Sequence, residues 1–155
     1  MPPEGAAAVD TRFHRELKRL LDQVEIEREN ERVRRFRKEL VHTEARQHFE
    51  DVRRDHLMPA LRELMAELLR RGHQAQVDVK SAHEIKLAVQ LMSRRAVSAT
   101  LLCTYRPQPE PSVRFALVHN FEVRFERFLP LGEAQGRSLA EVIIGALDLL
   151  VSWAR

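Results

Sequence analysis

Acidic and histidine residues recur between residues 39 and 55 at spacings that could present metal ligands on one helical face. Glu39 and His42 form an E-x-x-H pair, the spacing by which carboxylate-bridged di-metal bundles present two of their ligands. That centre needs a second such pair and two further acids, and the sequence holds no second copy. A second set of ligand types shares one helical face: Glu44, His48, Asp51 and Asp55. Because such stripes are common on charged helices, we predict no metal and no other cofactor.

Nucleophilic catalysis has little support in this sequence. Cys103 is the only cysteine and falls in the apolar phase of a predicted strand, where a buried thiol acts as a small hydrophobe with a raised pKa. No glycine-rich loop links a strand to a helix, and no Gly-x-Ser-x-Gly turn occurs. We therefore predict that the protein has no catalytic residues and is not an enzyme.

A run of basic residues around one aromatic residue is the strongest candidate for a binding surface. Residues 32–38 contain five cationic side chains and no acid, a density typical of segments that neutralise nucleic-acid phosphates. Five glutamates between residues 25 and 39 flank or interrupt the wider cluster at 28–38, so a solvated helix held by ion pairs is the alternative. The predicted partner-binding residues are Arg32, Arg34, Arg35, Phe36, Arg37 and Lys38.

Composition sets the limits within which these residues act. The chain has 155 residues, which suits a single domain with at most one appendage. Its 26 Lys and Arg exceed its 23 Asp and Glu by only three, a balance that permits nucleic-acid binding without requiring it. The sequence has no apolar run of membrane-spanning length and no secretory-type start, so we expect a cytoplasmic protein without membrane contact.

The first third of the chain predicts one long helix. No glycine or proline occurs between Ala6 and Met58, and the residues from Asp10 onward are mostly good helix formers. We expect residues 1–9 to be disordered, Asp10 or Thr11 to cap the helix, and residues 10–54 to form it. A fold-back near Arg28 to Glu31 is the alternative, although no turn signal marks it.

An apolar stripe on this helix predicts dimerisation. Phe13, Leu17, Leu20 and Val24 recur at steps of four and three, as in a coiled coil. The same frame then reaches charged residues, while apolar residues reappear out of step at Ile26, Val33, Phe36 and Leu40. A helix over 10–54 would be about 65 Å long, far beyond the ~13 Å radius of gyration of a 100-residue body, so a second copy is the expected partner of its stripe.

Residues 55–155 predict an α+β domain. Asp55 marks a helix restart before Pro59, and the second helix ends at Gly72. Apolar residues then alternate along four or five predicted antiparallel strands, although residues 81–92 also fit a helical spacing. Ser138 and Glu141 form a capping box for a C-terminal helix that packs on the sheet, and Trp153 is expected against Phe115, Val123 and Phe125.

The clearest hairpin lies between residues 113 and 125. A three-residue loop of Val118, His119 and Asn120 pairs Leu117 with Phe121 and keeps the apolar faces together. In this register the outward side chains are charged, Arg114 facing Arg124, and no exposed aromatic offers a base-stacking platform.

These patterns lead to a hypothesis of function by elimination. We expect a non-enzymatic adaptor or scaffold protein that acts through protein–protein contacts as a homodimer. Its partners are a second copy of itself and an unidentified protein. The alternative is a nucleic-acid-binding dimer that uses the arginine cluster at residues 28–38.

Overall fold

The computed structural model describes residues 4–155, and their side chains from Asp10 onward. It confirms an α+β fold with an antiparallel sheet of five strands in the order β1-β2-β3-β4-β5. The helices are α1 (Glu4–Val52), α2 (Met58–Arg70) and α3 (Gly136–Ala154). The strands are β1 (Gln74–Ser81), β2 (Glu84–Leu91), β3 (Val97–Arg106), β4 (Ser112–His119) and β5 (Glu122–Pro130). Within the described range, no helix is long and apolar enough to cross a membrane.

Helix α1 is continuous through the segment where a fold-back was the alternative. It begins at Glu4, ahead of the Asp10 or Thr11 expected as its cap. Part of the segment predicted to be disordered, residues 1–3, lies outside the described residues. The rest belongs to the helix, because the alanines at 6–8 are the best helix formers.

A π-helical turn, Arg53–Leu57, joins α1 to α2 in place of the predicted restart. Val52, Leu57 and Met58 all keep helical backbone angles, and no side chain caps α2. Pro59 lacks an N–H and would press its ring against the carbonyl four residues earlier in a regular helix. The wider π-helical turn before Pro59 removes that clash. Because the backbone stays helical through this turn, α2 has no free N-terminus there for Asp55 to cap.

The structure divides into two compact units. The first ends at Thr43, and the second comprises Glu44–Arg155. The second unit therefore begins within α1. The physical reason is that Phe49 and Val52 are buried in the hydrophobic core, with Phe49 stacked on Tyr105 at a ring-centroid distance of 5.0 Å.

The core of the second unit lies on one face of the sheet. Side chains of β2 and β3 alternate between buried and less buried positions, which confirms that residues 84–91 form a strand rather than a helix. One cross-strand row joins Leu87 to Leu101 and then to Leu117, all of them buried. Helices α2 and α3 pack on the sheet and contribute buried residues to the same core.

The β4–β5 hairpin does not have the predicted three-residue loop. Asn120 and Phe121 form a two-residue turn in which both residues have positive φ, 50° and 64°. Such turns match the right-handed twist of paired strands, whereas other short turns splay them. A bulge at Arg124 then shifts the register, so that Leu117 faces Phe125 rather than Phe121.

Helix α3 lies where the sequence places it but starts differently. It begins at Gly136 after Gln135, without a side-chain cap. Ser138 is therefore already inside the first turn, and Glu141 binds Arg137 at 3.0 Å instead of closing a capping box.

Trp153, near the end of α3, is half-buried rather than enclosed by the predicted set. Its indole stacks on the ring of His119 at the end of β4. Val123 cannot contribute to such an enclosure, since the bulge places it opposite Val118 on the other face of the sheet.

Candidate protein-binding surface on the N-terminal helix

The six predicted partner-binding residues all lie on α1 and are exposed. Successive residues of a helix advance by about 100° around its axis, so a run of neighbours in sequence is spread around the helix. Arg32, Phe36 and Arg37 share one side, whereas Arg34 and Lys38 lie on the opposite side. The structure therefore divides the predicted basic cluster into two groups.

The first group combines an apolar ridge with cations at its edges. Val33, Phe36 and Leu40 follow one another at steps of three and four, and Phe36 is 65% exposed. Arg32 and Arg37 flank this ridge. We call these five residues the Phe36 surface. Its chemistry fits a partner that supplies apolar side chains between acidic ones.

Ion pairs along this part of α1 leave the cations accessible. Arg32 lies 3.9 Å from Glu29, and Arg35 lies 3.3 Å from Glu31, both as exposed pairs on successive turns. Exposed pairs of this kind contribute about 0–1 kcal/mol, so a partner can displace them. Arg34, Arg37 and Lys38 form no ion pair within the part of the chain that the structure describes.

A second apolar surface lies nearer the start of α1. It consists of the predicted stripe of Phe13, Leu17, Leu20 and Val24, with Leu21 beside it, and every one of these side chains is at least 40% exposed. Exposed apolar rows of this length are typical of surfaces that another helix covers.

The residues first considered as metal ligands are engaged in other interactions or stand apart. Asp51 accepts hydrogen bonds from Gln47 and Arg54, at 3.2 Å each. Arg54 also donates to Asp55 at 2.9 Å, and this hydrogen bond lowers the pKa of the Asp55 carboxyl. Among the described residues, no three His, Cys, Asp or Glu side chains are grouped so that they could hold a metal ion.

Cys103 is fully buried in β3, as the sequence predicts. Burial raises the pKa of its thiol to about 12. The thiolate, which is the reactive form, is therefore scarce at neutral pH.

The face of the sheet opposite the core is a feature that sequence reasoning missed. It carries Phe121, which is fully exposed, and Phe128, which is 53% exposed, so this face does have exposed aromatics. Arg114 lies opposite Phe128 and pairs with Glu126 at 2.6 Å, rather than facing Arg124 as predicted. Phe121 also borders an open depression of about 830 Å³ that includes Lys86. The Asn-Phe dipeptide at the turn was the available signal, because Asn tolerates positive φ.

No protein-family model, curated protein or solved structure matches this chain.

Proposed function

We propose that this protein is a non-enzymatic adaptor that acts as a homodimer and binds a protein partner through the Phe36 surface. The observation that carries this proposal is the length of exposed apolar surface on α1, from Phe13 to Leu40. Soluble proteins seldom leave long contiguous apolar rows facing water. Helix α1 bears two such rows, so one can contact a second copy of the chain while the other contacts a protein partner.

The nature of the Phe36 surface indicates the class of partner. An aromatic side chain flanked by Arg is the composition enriched at the energetic centres of protein–protein interfaces. A partner segment with leucine-like anchors and acidic flanks complements Val33, Phe36 and Leu40 between Arg32 and Arg37. An amphipathic acidic helix has this chemistry.

Affinity capture with matched variants tests the proposal. Full-length wild-type protein and Phe36→Ala are used as bait, with Phe121→Ala as the control that removes an even more exposed aromatic from the hairpin turn. We expect bound protein to survive nuclease treatment, to persist with the control, and to be lost with Phe36→Ala. Capture that Phe36→Ala leaves unchanged would overturn the assignment of the surface.

Binding to nucleic acid is the competing outcome of the same experiment. If the cations of α1 bind phosphates, nuclease releases the captured material, and binding of a labelled duplex weakens steeply between about 50 and 200 mM salt. Binding through an apolar ridge depends much less on salt. A steep salt dependence together with nuclease sensitivity would replace the adaptor proposal with the nucleic-acid alternative.

A further inference from the structure

The apolar stripe near the start of α1 has the same spacing in both directions. Phe13, Leu17, Leu20 and Val24 follow one another at steps of four, three and four residues. Each of these side chains is 40–60% exposed, so the single chain leaves the whole stripe facing water. A row with this spacing is typical of the seam between two helices of a coiled coil.

A second copy of the stripe in reverse orientation matches the first at every layer. If two helices run antiparallel about the midpoint of the stripe, Leu17 meets Leu20 of the second copy. In the same alignment Phe13 meets Val24 of the second copy. Each contact occurs twice, because the arrangement has two-fold symmetry. The alignment therefore has four layers, and all of them are apolar.

The charges around the stripe differ between its two halves. Residues 10–18 carry three Lys or Arg and two Asp or Glu, whereas residues 19–27 carry one Arg and three acids. An antiparallel pair places the basic half of each helix beside the acidic half of the other, and a parallel pair places each half beside its own kind. Complementary charges of this sort select the partner and the orientation of an interface.

We infer that residues 10–27 of α1 pair with the same residues of a second copy of this chain as an antiparallel two-helix coiled coil. This inference rests on the proposed function, since it assigns the homodimer contact of the adaptor. Asp10 and Glu27 bound the stripe, and their like charges oppose each other in this alignment, which limits the contact to the four apolar layers. Because the interface is short, we expect a dissociation constant in the micromolar range.

A parallel coiled coil along the same line conflicts with the rest of α1. Beyond Val24 the line passes through four charged positions, and in a parallel pair each of them faces its own copy. The line then reaches Val52, which is already buried in the core of its own chain together with Phe49. The antiparallel contact ends at Glu27, so these core residues take no part in it. The Phe36 surface, at residues 32–40, also lies beyond the contact and stays open to a protein partner.

The residues beside the stripe distinguish the two orientations. Glu16 and Gln23 lie seven residues apart on the same edge of the stripe. In the antiparallel alignment Gln23 lies beside Glu16 of the second copy, whereas in a parallel pair it lies beside Arg28. In the single chain Gln23 contacts Glu27 at 3.4 Å and Glu16 pairs with Arg19 at 3.1 Å. Both are exposed contacts that a partner can displace.

Charge substitutions at Gln23 in the full-length chain test the orientation. Gln23→Lys adds two opposite-charge contacts with Glu16, so we expect the dimer dissociation constant to fall about threefold. Gln23→Glu adds two like-charge contacts, and we expect the constant to rise about threefold. The control Asp22→Asn makes the same change of net charge as Gln23→Lys on the side of α1 away from the stripe, and it should have no effect. Sedimentation measures each constant, and circular dichroism verifies helicity.

A substitution within the stripe tests whether it is the contact. Leu20→Asp places a carboxylate against Leu17 of the second copy, so we expect the dissociation constant to rise by about tenfold or more. The matched control is Ile26→Asp, which changes a similarly exposed apolar residue of the same segment that lies off the stripe. We expect this control to dimerise like wild type.

Cysteine cross-linking gives an independent readout of orientation. F13C and V24C chains carrying different mass tags are mixed and mildly oxidised, while the buried Cys103 stays protected. We expect the disulfide to join position 13 of one chain to position 24 of the other.

The outcomes separate this inference from the proposed function. Efficient disulfides between two F13C chains, or Gln23 variants that fail to separate in the expected order, would overturn the antiparallel pair while leaving a dimeric adaptor standing. Wild-type dimerisation by Leu20→Asp would overturn the stripe as the contact. A wild-type chain that is monomeric at tens of micromolar would overturn the inference and the homodimer together. Loss of partner capture alone concerns only the Phe36 surface.

Discussion

The indole of Trp153 stacks on the imidazole of His119, with ring centroids 4.7 Å apart and planes inclined by 26°. His119 is itself held by a 2.8 Å hydrogen bond between its Nδ1 and the carbonyl of Ser98 on the neighbouring strand. This chain of contacts joins the end of α3 to β4 and β3. The last turn of α3 is therefore anchored on the sheet.

If the stack persists in solution, removing the His119 ring should change the fluorescence of Trp153. His119→Ala removes one covering ring from a half-buried indole, so we expect the emission of Trp153 to shift to the red and to become easier to quench. His48→Ala, which removes an exposed ring from α1, serves as the control and should change neither property. Unchanged emission in His119→Ala would show that the stack does not persist in solution.

Truncating the indole measures the strength of the same anchor. Because Trp153 is half-buried, we expect Trp153→Ala to lower the free energy of unfolding by about 2 kcal/mol, less than the ~3–5 kcal/mol typical of an enclosed ring. Urea denaturation followed by circular dichroism measures this loss. A loss of about 3–5 kcal/mol would indicate that the ring is more enclosed than the stack implies.

Two truncations locate the start of the second unit. Removing residues 1–43 leaves Phe49 and Val52 in place, so we expect the remaining chain to fold with a melting temperature close to that of the full protein. Removing residues 1–50 also deletes Phe49, whose ring packs against Tyr105. That loss costs about 3–5 kcal/mol, a large part of the ~5–15 kcal/mol of a typical domain. Equal melting temperatures for the two truncations would contradict the placement of Phe49 in the core.

The alternation of side chains explains why the strands could be predicted and the hairpin register could not. Ile85, Leu87 and Val89 alternate with the less apolar Lys86 and Ala88, and this period of two predicts a strand. At the turn and in the start of β5, Phe121, Val123 and Phe125 alternate equally well in the wrong register. The bulge at Arg124 moves Phe125 to the buried face, and a simple alternation has no place for an extra residue.

The candidate surface shows a similar limit. The basic run at 32–38 is compact in sequence, yet helical geometry separates Arg34 from Phe36. The start of the second unit is not visible in the sequence for another reason. Phe49 and Val52 continue the helical pattern of α1, and only tertiary packing shows that they are core residues.

Tyr105 carries a buried hydroxyl without a hydrogen-bond partner among the described residues. A buried polar group without a partner loses the free energy of hydration that it has in the unfolded chain. We therefore expect Tyr105→Phe to be neutral or to stabilise by up to about 1 kcal/mol, because the ring still stacks on Phe49. Thermal denaturation measures the change. A clear loss of stability would mean that the hydroxyl has a partner in solution.

We expect substitution by alanine at two glycines of α3 to change the free energy of unfolding in opposite directions. At Gly145 an added methyl group meets the Phe125 ring at 3.4 Å, an ordinary contact, so Gly145→Ala should stabilise by about 0.5–1 kcal/mol through helix propensity. Gly136 has a φ of +52°, and Gly136→Ala should destabilise by about 1 kcal/mol because L residues avoid that region. Chemical denaturation of the two variants compares them directly, and the same sign for both would contradict these backbone assignments.

Because Cys103 is buried, we expect the protein to lose stability at alkaline pH. Its thiol has a pKa of about 12 in the folded protein, against about 8.5 for an unburied thiol in the unfolded chain. Below pH 8.5 both states keep the proton, and the free energy of unfolding does not depend on this group. As pH rises from about 8.5 towards 12, only the unfolded state releases it, so stability falls. Cys103→Ala has no such proton, and the difference in unfolding free energy between wild type and variant should shrink over this range. A difference that stays constant up to pH 10 would show that the thiol is not buried in solution.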